Sequence, residues 1–132
     1  MKFSYKKIAP GVLRPIIPIE ISYHSLSIRY EVLVDSGADT CIFDAQIGEI
    51  LRIPVNEGEK HFVTGVTGVP EPYYVHDVRL KIAGYEIEAT VGFLPRATEW
   101  SNGIVGQKGF FEHFKISFDL SKEQIELKPH SK

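Results

Sequence analysis

Cysteine is almost missing from this 132-residue chain: Cys41 stands alone. A single cysteine excludes an internal disulfide and the paired-cysteine zinc patterns. No run of 18 or more apolar residues exists, so no helical membrane span is expected. Charge of one sign is also lacking. The net charge of -2 gives no general attraction for nucleic acid or for an anionic membrane. Pro10, Pro15 and Pro18 interrupt any apolar signal core near the start, so a cytoplasmic chain is expected. Helical periodicity is scarce too. The five histidines show no metal-ligand spacing, so no metal site is expected. The length suits one domain across 1–132, with its core at about 16–128, and 43% hydrophobic residues suffice for that core.

What is present is a period of two. Ile17, Ile19, Ile21 and Tyr23 fall on one face of a strand, and Leu26, Ile28, Tyr30, Val32 and Val34 on one face of the next. His24 and Ser25 form the turn between them. Val78, Leu80 and Ile82 lead through Ala83 and Gly84 into Tyr85, Ile87, Ala89 and Val91. Phe114, Ile116 and Phe118 then precede a polar turn and Ile125 and Leu127. The pattern predicts an all-β chain of antiparallel hairpins.

Two short helical segments are expected, each of two turns or fewer and open to being partly 3₁₀ or loop. One spans Ala45 to Leu51, with Ile47, Ile50 and Leu51 on one face, Asp44 as N-cap and Pro54 beyond it. The other spans Gln107 to His113, gathering Phe110, Phe111 and Phe114. A weak repeat is also visible. In each half a hairpin leads to a short apolar strand and then to a short helix.

The sharpest local signal is Val32-Leu33-Val34-Asp35-Ser36-Gly37-Ala38-Asp39-Thr40. An apolar strand runs into an acid, a hydroxyl residue and a glycine. A carboxylate leaving a partly buried strand loses water and needs hydrogen-bond donors. Ser36 and the amides around Gly37 are placed to supply them, and glycine permits close approach or positive φ. Asp, Ser and Gly are equally the expected residues of an ordinary strand-end turn, and composition alone favours that reading.

Leu33-Val34-Asp35-Ser36-Gly37-Ala38-Asp39 resembles the active-site signature of the retroviral-type, or retropepsin-like, aspartic proteases. Ile104-Val105-Gly106 resembles the family's apolar pair and glycine before a short C-terminal helix. Gly65-Val66-Thr67-Gly68 stands where the family has its glycine-rich flap. These three elements occur in order over roughly residues 16–128.

The resemblance implies a retropepsin-like closed barrel of hairpins with one or two short helices, in a single-domain cellular or bacterial member. It implies an aspartic endopeptidase that works as a homodimer on extended peptide or protein substrates, and it implies no cofactor. Asp35, Ser36 and Gly37 would be catalytic, with Asp35 facing its copy and Ser36 bonding across the axis. Gly37 would also bind substrate backbone. Ala38, Asp39, Gly65, Val66, Thr67, Gly68 and Val105 would bind substrate, Ala38, Val66 and Val105 by lining apolar pockets. A pepsin-like enzyme with both aspartates in one chain needs two lobes, for which 132 residues are too few. One departure is visible. Viral members follow the second glycine with an arginine that pairs with the acid of the signature, whereas this chain has Gln107, able to hydrogen-bond Asp39 but not to form the bidentate ion pair.

Rival readings are a non-catalytic peptide-binding or dimerisation module that keeps the fold, and a narrowly specific processing protease. A Cys41 nucleophile paired with His61, His76 or His113 is a further rival, but Cys41 lies in the apolar run Thr40-Cys41-Ile42-Phe43 and reads as core. Trp100, in a polar loop, suits a cleft rim or a core edge equally.

Overall fold

The computed structural model describes residues 1–64, 68–95 and 102–130. In chain order the strands are β1 (Lys2–Ser4), β2 (Lys6–Ala9), β3 (Val12–Arg14), β4 (Ile16–Tyr23), β5 (Leu26–Val34) and β6 (Ile42–Asp44). Helix α1 (Ala45–Ile50) follows, then β7 (Glu59–Thr64), β8 (Pro70–Ile82), β9 (Tyr85–Leu94), β10 (Gly103–Val105), β11 (Phe114–Asp119) and β12 (Gln124–Pro129).

The predicted hairpins are there. β4 pairs antiparallel with β5, β8 with β9, and β11 with β12. His24 and Ala83 take positive φ at the first two turns, the backbone hand that tight hairpins require. Alternation sets the core. Ile17, Ile19 and Ile21 on β4 meet Tyr30, Val32 and Val34 on β5 and Val78, Leu80 and Ile82 on β8. Arg79, Lys81, Glu86 and Glu88 fall at the alternate positions.

The hairpins are joined in a way that periodicity does not reveal. β5 runs parallel to β10, and β9 runs parallel to β6. β10 and β6 pair antiparallel through Ile104 and Ile42. Each hairpin therefore lends its second strand to the short strand that follows the other hairpin. This exchange is the structural content of the weak repeat. A β4–β8 pairing completes the circuit β4-β5-β10-β6-β9-β8 and closes the barrel.

The first predicted helix forms as α1, and the second segment forms as a 3₁₀ turn. Asp44 caps α1, its Oδ1 accepting the Gln46 amide at 2.9 Å. Leu51 is buried, as the pattern required, but Ile50 points to water. Between Gln107 and His113 only a single 3₁₀ turn forms, Phe111–His113. Gly109 there takes φ +95, which breaks the α conformation. Phe110 and Phe114 still reach the core.

The barrel carries additions, of which β1, β2 and β3 lie outside the expected 16–128. β1 adds to the β11–β12 hairpin. β2 and β3 form a separate two-stranded arm. A second arm is the β7–β8 hairpin, on which every residue of β7 is exposed. Among the described residues no helix is long and apolar enough to cross a membrane.

Candidate functional site

Asp35 is the first residue after β5. The burial alternation of that strand ends with Val34 enclosed and Asp35 half-buried. Its amide donates to the Val105 carbonyl at 3.0 Å, continuing the β5–β10 ladder by one step. Its carbonyl accepts from the Ala38 amide at 3.2 Å, which closes a turn. Within that turn the Gly37 amide donates to Asp35 Oδ1 at 2.9 Å. The carboxylate is thus aimed by its own loop, with one backbone donor fixed against one oxygen.

Gly37 does not take the left-handed conformation. Its requirement is proximity, since a Cβ there would stand 3.2 Å from Asp35 Oδ1. Ser36, Gly37 and Asp39 are exposed, and Ala38 is half-buried. Among the described residues neither Asp35 nor Asp39 makes an ion pair.

The chain then crosses under residues 105–108. The Gln107 amide donates to Ala38 O at 2.9 Å, and the Lys108 amide to Asp39 O at 2.9 Å. A Cβ on Gly106 would stand 2.5 Å from the carbonyl oxygens of both Ala38 and Thr40. Only glycine permits the two backbones to cross that closely. The Gln107 side chain departs from expectation: its Nε2 donates to Ser36 O at 3.1 Å rather than to Asp39. It braces the turn through a backbone carbonyl and leaves the Asp39 carboxylate free of it.

Val105 also differs from its expected place. It is fully enclosed in the core, with no surface to line a pocket. Its contribution is the carbonyl that receives the Asp35 amide. Gly68 is described, in the left-handed region at φ +76. Gly65, Val66 and Thr67 lie outside the described residues, as does Trp100.

Cys41 is fully buried beneath the crossing. Its Sγ donates to Lys108 O and accepts from the Gly106 amide, each at 3.4 Å. Burial pushes the thiol up to about 11, the opposite of an activated nucleophile. The three histidines weighed as its base are engaged elsewhere: His61 with Glu59, His76 with Val55 O and His113 with Glu112. Among the described residues no three His, Cys, Asp or Glu side chains gather as a metal site would require.

The sequence pointed to Gly106 and Gln107 but not to the backbone crossing they make with Lys108 against Ala38 and Asp39. The sequence reading also missed Pro15, whose carbonyl accepts the Val34 amide at 2.9 Å and fixes β5 just before Asp35.

No family model and no curated protein matches the chain. Among solved structures it is similar to the retroviral EIAV protease, solved in complex with the inhibitor HBY-793. That similarity has 24% identity and a TM-score of 0.50, over 70% of this chain and 81% of that one. At this identity the likeness is one of fold, and the fold is that of the retropepsins.

Proposed function

We propose that this chain is an aspartic endopeptidase active as a homodimer, each copy supplying Asp35 as its one catalytic carboxylate. The observation that carries this reading is how Asp35 is held. A half-buried acid ends a barrel strand, its carboxylate bonded by the Gly37 amide and its backbone locked to Val105. An ordinary exposed turn needs no such frame.

Two copies of the turn, face to face, form a dyad. Two close like charges repel, so the pair works with one proton between them. The ionised partner takes a proton from a water as it attacks the peptide carbonyl. The protonated partner donates toward the carbonyl oxygen. The C–N bond then breaks as the partner that took the water's proton passes it to the leaving nitrogen, while a hydroxyl of the intermediate returns its proton to the other partner and becomes the product carboxyl's carbonyl. Ser36 lies on the exposed side of the turn, suited to bond its counterpart across the axis. Gly37 and Asp39 would contact the substrate main chain, which binds extended, as an added strand, and Ala38 would line an apolar pocket. The β7–β8 arm ending at Gly68 would cover it. Val105 has no place in this list of subsites, because it is enclosed.

The test is cleavage of a complex peptide mixture, read by mass spectrometry, at about pH 4 to 7 and high protein concentration. Wild type should cut, and Asp35→Asn, equally folded, should not. Peptide binding that survives Asp35→Asn, with no cleavage by wild type under any of these conditions, would leave a binding module instead.

A further inference from the structure

The barrel wall can be followed strand by strand from Asp35. On β5, Tyr30, Val32 and Val34 point into the core, so Leu33 and, one step beyond the strand, Asp35 belong to the other face. Leu33 is level with Ile104 on β10, Ile104 with Ile42 on β6, and Ile42 with Gly92 on β9. Gly92 is level with Val75 on β8, and Tyr73 lies two residues along on the same face. Tyr73 is level with His61 on β7. One row therefore runs from Asp35 across the wall to the β7–β8 arm. Its apolar members Leu33, Ile104 and Ile42 are half-buried although they turn away from the core.

Tyr73 sits in a socket on this row. A Cβ on Gly92 would collide with the Tyr73 ring and would meet Ile42 Cδ1 at 3.0 Å. The ring thus fills the space of a side chain at 92, and it comes from the arm rather than from the barrel. His61 stacks on it, with ring centroids 5.6 Å apart and planes 23° from parallel, and His61 Nε2 lies 3.1 Å from Glu59 Oε1. Glu71, next on the same face of β8, is half-buried and makes no ion pair among the described residues. Over residues 59–64 and 70–75 this face carries Glu59 and Glu71 and neither lysine nor arginine. Lys60 is on the opposite face, over the Phe62 ring.

We infer that Tyr73, Glu59 and Glu71 form a side-chain subsite that selects lysine or arginine in the substrate polypeptide, a few residues from the cleaved bond. The inference rests on reading Asp35 as catalytic, and it names a substrate class for that site. A long basic side chain suits both parts of this surface. Its methylene stem lies along Ile42 and the edge of the Tyr73 ring, and its charged head stays in water beside the carboxylates. An acidic side chain there meets two like charges. Four strand spacings of about 4.8 Å separate Asp35 from Tyr73 along the wall, and an extended chain advances about 3.3 Å per residue. The selected residue is therefore no more than about six from the cut.

The profile of sites that the full chain cuts in a synthetic mixture of randomised peptides tests this. Wild type should favour Lys or Arg over Asp or Glu about tenfold at one position in that range. Exposed charges are screened, so the preference should shrink as salt rises from about 0.05 to 0.5 M. Glu59→Lys combined with Glu71→Lys should reverse it. Glu71→Gln alone should lower it about threefold, and this smaller change carries the test should the double variant unfold. Tyr73→Ala should admit aromatic side chains at the same position about fivefold better, because the space over Gly92 opens. Lost stability would lower cutting at all sites alike and would not move the preference at one position. Cleavage without this charge preference, or with a preference that the variants leave untouched, would overturn the subsite while leaving the aspartic protease standing. A wild type that cuts no peptide in the mixture would overturn both.

Discussion

The crossing beneath Asp35 and the two hairpin arms are built from the same β conformation and are held very differently. At the crossing, residues 35–41 and 104–109 exchange backbone bonds at Val105, Ala38 and Asp39, with Gln107 and the Cys41 thiol filling what remains. On the arms, every residue of β2 and of β7 is exposed. Much of the arms' cohesion comes from ladder bonds and a few surface pairs, such as His61 stacked on Tyr73 and Lys60 over Phe62. Local stability follows burial and contact, so opening free energy should be high at the crossing and low on the arms. On the proposed function, a carboxylate that must meet its partner to within a fraction of an ångström belongs on the first kind of structure. On the same reading, a segment that admits and releases a polypeptide belongs on the second.

The contrast can be broken at the crossing. Asp35→Asn should lower peptide cleavage by at least about a thousandfold, measured as kcat/KM, with Tm nearly unchanged. Gly106→Ala should lower unfolding free energy in urea by about 3 kcal/mol, because the added carbon meets two fixed backbone oxygens. Cys41 gives a pH signature. The thiol is raised from 9.0 to about 11 by burial, so between those values the folded chain keeps a proton that the unfolded chain has released. Stability should therefore fall as pH rises through that window, by about 1 kcal/mol per pH unit, and Cys41→Ala should flatten the fall. Buried Tyr30, raised to about 12, adds a similar slope above pH 10 that persists in the variant.

Smaller effects sharpen the comparison. Gln107→Ala removes one hydrogen bond, to Ser36 O, and should cost about 1 kcal/mol in urea unfolding while lowering kcat more than it raises KM. Phe62→Ser on β7, where the ring is 62% exposed, should change stability by less than about 0.5 kcal/mol. A cost at Phe62 equal to that at Gln107 would erase the contrast.

The hairpins were legible because alternation is local. Ile17 to Ile21 and Val78 to Ile82 declare their buried face without reference to the rest of the chain. The parallel pairings of β5 with β10 and of β9 with β6 were not legible, since they join segments far apart and leave no period in either. The second short helix was legible only as helix, 3₁₀ turn or loop, because three aromatic residues at helical spacing conceal the φ of Gly109. Ile50 was misplaced because a helix this short ends before its face is fixed. The Asp35 turn was legible as a motif, but its frame was not. Nothing near Gly106 announces that Ala38 and Thr40 pass within contact of it. Val105 was expected at a pocket wall, yet the strand that carries it is enclosed by β5 and β6.

The most direct measurement of the two-chain site is the binding stoichiometry of a statine-type transition-state mimic, by titration calorimetry at concentrations well above the dimer Kd. The account predicts one inhibitor per two chains, with binding abolished by Asp35→Asn. One inhibitor per chain, or binding indifferent to Asp35→Asn, would contradict it.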